Sequence, residues 1–116
     1  MCGICGEFKF VSKSFDNKKL DNLMDSISAR GNDSQGRYID GDVFLGHHRL
    51  AIIDTSNKSN QPMQVEKYVI VFNGVIFNYR ELRSALLKKG HSFSSSGDTE
   101  VIIRSYIEYG SDCVNY

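Results

Sequence analysis

The chain opens Met1-Cys2-Gly3-Ile4, which puts a thiol at the second residue. The small side chain of Cys2 suits removal of Met1, and Cys2 would then carry a thiol and a free α-amine. Such an amine titrates at roughly pH 7.7–8.0, so it can act as base toward its own thiol. A nucleophile and a base on one residue are the minimum equipment for acyl transfer. Three further positions would complement it. Arg49 stands among Leu50, Ala51, Ile52 and Ile53. A guanidinium buried there requires an anion, either an internal Asp or Glu or the carboxylate of a ligand. Asn73-Gly74 lies between two apolar runs. It reads as a hairpin turn, and the Asn amide with the Gly N–H also forms a donor pair for an oxyanion. Asp98 follows Gly97, and reads either as a helix N-cap or as the partner of a substrate ammonium.

Other segments have the right residue types but the wrong setting. Cys2 and Cys5 have C-x-x-C spacing, yet no strand precedes them to present a redox pair. A tetrahedral metal site would need two more ligands, and Cys113, His47, His48 and His91 lie far along the chain, so no metal is assigned. Cys5 is expected to be a small buried residue. His47 and His48 are adjacent in a strand and point to opposite faces, as core or surface residues. Arg30-Gly31-Asn32-Asp33 follows the first helix, with Gly31 as a natural stop. Its residues by themselves assign it no chemistry.

The elements that must position these groups follow from periodicity. Near-alternation predicts a strand over 4–11. Leu20, Leu23, Met24 and Ile27 fall on one stripe of a helix over 16–29. Strands over 37–39 and 43–45 flank Asp40-Gly41-Asp42, and a further strand is expected over 48–53. Residues 55–62 read as a loop. Strands follow over 68–72 and 75–77. Asn78 and Glu81 have the spacing of a capping box for a helix over 79–89 that Gly90 ends. A last helix runs over 99–109 to Gly110, and residues 111–116 read as no completed element. The order is that of an α+β fold with a mostly antiparallel sheet.

Composition bounds the rest. A chain of 116 residues is one domain, and 41% hydrophobic with 24% charged residues is enough to bury a core. Lys plus Arg equals Asp plus Glu at 14 each, which leaves no basic field for nucleic acid. No apolar run has the roughly 18 residues of a membrane span, and no signal peptide is evident. Three cysteines, an odd number, argue for a reducing, cytoplasmic setting.

Taken together, the motifs resemble the glutaminase domain of glutamine-hydrolysing asparagine synthetases, a class II (N-terminal nucleophile) amidotransferase. The resemblance runs from residue 1 to about 110 and rests on pieces in the family's order. These are Met1-Cys2-Gly3-Ile4, Arg30-Gly31-Asn32-Asp33 with Gly36, and Gly46 through Asp54. Gln61-Pro62-Met63, Phe72-Asn73-Gly74, Ile76 through Leu82, and Gly97 through Ile102 complete the set. The resemblance implies that Cys2 attacks the side-chain amide of L-glutamine while its amine handles the proton. It implies that Asn73 and Gly74 stabilise the oxyanion, that Arg49 holds the α-carboxylate, and that Asp98 holds the α-ammonium. Substrate contacts would also come from the Leu50, Ala51, Ile52 and Ile53 run and from Val75.

The implied fold is an N-terminal-nucleophile α-β-β-α sandwich, incomplete here, with residues 1–116 a partial domain and the ATP-using synthetase domain absent. No cofactor is then expected in this chain; ATP and Mg²⁺ belong to that other domain. A synthetase domain or subunit, or a second copy, would be the protein partner. Two substitutions depart from the family pattern. Val75 stands where an acidic residue is usual, which predicts weakened or altered glutamine binding. Asn32 stands where proline is usual. An acceptor other than aspartate, such as a sugar acid, and a non-catalytic binding module are the alternatives.

Overall fold

The computed structural model describes residues 1–11 and 14–116. Three strands form one antiparallel sheet in the order β1-β3-β2: β1 (Gly3–Phe8), β2 (Ser34–Asp40) and β3 (Val43–Arg49). Gly41 has φ +53 at the first central position of the two-residue β2–β3 turn, a conformation glycine adopts without strain. Registry pairs Cys5 with Gly46 and Ile4 with His47 across β1 and β3. Gly36 pairs with His47 from β2. Phe44, Gly46 and His48 therefore share one face of β3, and Leu45, His47 and Arg49 share the other.

Helix α1 (Asn17–Ser26) covers the Phe44 face. The Asp16 carboxylate caps it by accepting from the Lys18 N–H. Leu20, Met24 and Phe44 form a buried cluster with Cys5, Phe15, Leu23 and Ile27 around it. Each of the three buried side chains contributes roughly 1.5–3 kcal/mol by leaving water. The expected apolar stripe is in place, but α1 stops three residues before the predicted end. Ser26 and Ser28 hydroxyls donate to the Leu23 and Asp25 carbonyls, and the backbone tightens into i→i−3 bonds at Ile27, Ser28 and Arg30.

The second half carries its own core. Strands β4 (Met63–Val65) and β5 (Tyr68–Ile70) form an antiparallel pair. Helix α3 (Asp98–Tyr109) packs on them through Met63, Val65 and Ile103. Helix α2 (Tyr79–Lys88) packs beside α3. Gly90 (φ +95) follows α2 as the expected left-handed stop, and α3 ends at Gly110 (φ +60, ψ −141), where its end was expected. Gly110–Asn115 then form a short 3₁₀ turn where no element was expected.

Several expectations are corrected. The strand expected over 48–53 does not exist as a unit: pairing ends at Arg49, because the chain beyond is engaged by side chains from elsewhere. The strand over 75–77 is also absent. Neither Asn73 nor Gly74 has the positive φ that a two-residue hairpin needs, so the pair is not that turn. The capping box fails too. Asn78 makes no cap bond and instead donates to the Tyr116 carbonyl. The result is a mixed α+β fold with antiparallel sheets.

Candidate active site

Four separated segments border one cleft of about 150 Å³: the chain start, the stretch after β3, the stretch after β5, and the start of α3. Cys2, Arg49, Leu50, Ile52 and Ile53 line it from the first two. Asn73, Gly74, Val75 and Asp98 line it from the others. Of the sequence candidates only Ala51 does not. Its N–H is turned to the Asp33 carboxylate at 2.7 Å, which fixes the backbone between Leu50 and Ile52.

Cys2 is positioned by its neighbours' backbone. Its Sγ accepts from the Leu50 N–H at 3.3 Å and lies 3.5 Å from the Leu50 carbonyl. The Arg30 Nε donates to the Cys2 carbonyl at 3.0 Å. Gly31 allows this approach, because a Cβ there would stand 2.5 Å from the Arg49 backbone. The Arg30–Asp33 segment thus grips both Cys2 and the 49–51 stretch, a role its local sequence did not reveal. Cys5 sits elsewhere, its thiol 3.8 Å from the Met24 sulfur, and burial pushes its pKa up. All three cysteines are unpaired.

Arg49 is 6% exposed. Its guanidinium donates to the carbonyls of Asp54 and Ser56 and to the Asn60 side-chain oxygen. No carboxylate among the described residues lies within ion-pair distance of it. Of the two anions weighed from sequence, the internal Asp or Glu is therefore not there. A cation held by neutral carbonyls away from water retains a strong preference for an incoming anion.

Asp54 builds the loop that holds Arg49. Its two oxygens accept from the Ser56 N–H and the Ser96 N–H, both at 2.8 Å. Hydrogen bonds from Ser56 outweigh the opposing effect of burial and hold its carboxyl far below the usual carboxylate range. Asp98 is the first residue of α3 and not its N-cap, which is Gly97. The Asp98 Oδ2 accepts from the Ile76 N–H at 3.0 Å, joining α3 to the stretch that carries Asn73 and Gly74.

Gln61 makes a second such tie. It accepts from the Phe72 N–H and donates to the Thr99 hydroxyl. Asn73 and Gly74 themselves make no hydrogen bond among the described residues. His47 is fully buried on β3, and neither ring nitrogen has a well-formed hydrogen bond. Burial lowers its pKa, against an opposing pull from the Phe72 backbone, so the ring is neutral near pH 7. His48 lies on the other face, with Nδ1 3.1 Å from the Gly31 carbonyl. The opposite orientation expected of this pair is observed.

Among the described residues no group of three or more His, Cys, Asp or Glu is placed to hold a metal. No helix in the described residues is long and apolar enough to cross a membrane.

Comparison with known proteins defines the class. Residues 1–116 match the glutamine amidotransferase domain family, and the chain belongs to it. Within that class the chain is homologous to the N-terminal part of asparagine synthetases. It is 37% identical over 121 residues to asparagine synthetase 3 (glutamine-hydrolyzing) of Bacillus subtilis strain 168, covering 100% of this chain and 20% of that protein. It is 39% identical over 120 residues to synthetase 1 of the same organism, covering 99% and 19%. Against the Zea mays enzyme the figure is 36% over 118 residues, covering 99% and 20%. The chain therefore spans about a fifth of the length of these relatives.

Proposed function

We propose that this chain is the glutaminase portion of an asparagine-synthetase-like amidotransferase, hydrolysing L-glutamine to glutamate and ammonia through a thioester on Cys2. The observation that carries this reading is the convergence of Cys2, Arg49, Asn73, Gly74 and Asp98 on one cleft. Each feature answers a need of the reaction. Glutamine presents an α-carboxylate, and Arg49 is a buried cation lacking an anion. Its amide carbon needs a nucleophile, and Cys2 is the thiol in the cleft. The tetrahedral intermediate needs donors, and Asn73 and Gly74 have theirs uncommitted. One such donor is worth roughly 10²–10³ in rate. Asp98 retains one carboxylate oxygen for the ammonium.

The base in this scheme is the α-amine of Cys2, which removal of Met1 would liberate. That amine takes the thiol proton and returns it to the departing ammonia, and water then hydrolyses the thioester. The ammonia would serve an acceptor chosen outside residues 1–116, where ATP and Mg²⁺ would also act. We assign the chain to the cytoplasm, and to part of an N-terminal-nucleophile sandwich. In that fold α1 and α3 would be the outer layers.

Glutamate release from glutamine, measured on protein whose mass establishes loss of Met1, tests the reading beside Cys2→Ala. The wild type should turn over and the variant should be inactive, while its circular dichroism stays unchanged. Turnover that survives the substitution rejects Cys2 as the nucleophile.

A further inference from the structure

We infer that the cleft accepts ω-carbamoyl carboxylates lacking an α-ammonium, of which 4-carbamoylbutanoate, glutamine without its amine, is the simplest. The inference rests on the glutaminase reading and adds the substrate class. It follows from an inventory of charge. Among the described residues the buried side-chain cation of the cleft is Arg49, whose partners are carbonyl oxygens, so a ligand carboxylate would supply its missing counter-charge.

The anionic side is largely spent. The carboxylates on the cleft are Asp54 and Asp98. Both oxygens of Asp54 are engaged by Ser56 and Ser96. Asp98 gives Oδ2 to the Ile76 N–H, which leaves Oδ1. Glu100, two residues further into α3, is fully buried, saturated by Ser94 and Ser95, and paired with Arg104 at 3.5 Å. Asp98 also opens a 12-residue helix, whose positive end opposes a cation placed beside it. On the other side of Gly74 the cleft is lined by Val75, which is 54% exposed and offers no charge.

Selective sites reject an analogue lacking a polar group because a buried partner is left unpaired. That penalty is missing here. Asp98 keeps its bond from Ile76 without any ligand and has no buried, unsatisfied oxygen. The step itself is the same acyl transfer. The Cys2 sulfur bonds to the amide carbon, the C–N bond breaks, and ammonia leaves with the thiol proton. Water then cleaves the thioester, so that 4-carbamoylbutanoate and water give glutarate and ammonia.

The test compares Cys2-dependent ammonia release from glutamine, 4-carbamoylbutanoate and butanamide, using the full chain with Met1 removed. We expect kcat/KM for 4-carbamoylbutanoate within about tenfold of glutamine, and butanamide at least about 100-fold below both. Val75→Glu should widen the preference for glutamine by about tenfold by adding an anionic partner. A preference for glutamine above tenfold in the unaltered chain overturns the inference and leaves the glutaminase reading intact. Turnover of neither acid overturns the glutaminase reading itself, and this inference with it.

Discussion

The two ends of the cleft are built on opposite plans. At the Arg49 end almost every polar atom is committed. The guanidinium has three acceptors, Asp54 grips Ser56 and Ser96, and Asp33 fixes Ala51. At the other end the thiol of Cys2 rests on the N–H and carbonyl of Leu50, and Asn73 and Gly74 have no partner among the described residues. A permanent charge is best met by a site rigid before binding, since ordering it later costs affinity. A charge that appears only during reaction is best met by donors not already spent. On the proposed reading, the internal hydrogen bonds lie where the charge of glutamine would be fixed, and the free donors lie where charge would develop.

The largest effect expected from this contrast is at Asn73. Asn73→Ala removes an unspent donor, so glutamine turnover should fall by roughly 10²–10³. Stability should move by less than about 0.5 kcal/mol, because no internal bond is lost. Glutamate release and urea denaturation read the two numbers separately. A loss of more than about 1 kcal/mol in folding would mean that Asn73 is structural and the contrast is false.

Asp54 should behave the opposite way. Asp54→Asn keeps the shape but turns an amide N–H toward a backbone N–H, and should cost about 2 kcal/mol of stability. Its pH dependence has a fixed sign. The carboxyl of Asp54 is depressed in the folded chain, so its contribution is fully present above an ordinary carboxylate pKa of about 4. That contribution is lost as pH falls toward the folded value. The variant's stability should therefore be flatter below about pH 4 than that of the parent. Chemical denaturation at pH 6, 4 and 3 measures this. Parallel curves would show that the Ser56 and Ser96 bonds contribute nothing.

What the sequence disclosed divides along the same line. The stripe of Leu20, Leu23, Met24 and Ile27, the glycine stops at Gly90 and Gly110, and the opposed His47 and His48 were all legible. Each depends only on local periodicity or backbone freedom. The cleft residues were visible as types, but local reading favoured a turn for Asn73-Gly74 and a cap for Asp98. Their actual settings depend on ties between distant segments: Ile76 with Asp98, 22 positions apart, and Ser96 with Asp54, 42 apart. No window of sequence contains those pairs. The roles of Arg30, Asp33, Asp54 and Gln61 were missed for the same reason. Each acts by holding backbone from a distant segment.

The β4–β5 hairpin was missed for a different reason, and it supplies the smallest test. Its turn is Glu66-Lys67, without glycine or asparagine, so nothing in the sequence marks it. Glu66 nevertheless has φ +56, a conformation that disfavours most side chains. Asn tolerates that region, so Glu66→Asn should relieve strain of about 1 kcal/mol. The substitution also removes the Glu66–Arg104 pair at 3.7 Å, whose Glu side chain is largely exposed and so contributes little. A net gain of about 0.5 kcal/mol, or about 2 °C in Tm, is expected. The turn lies outside the cleft, so KM for glutamine should not change if rigidity at the Arg49 end is held locally by Asp54 and Asn60. A Tm gain accompanied by a lower KM would show instead that cleft order is drawn from the whole second core. The contrast between the two ends would then be one of degree.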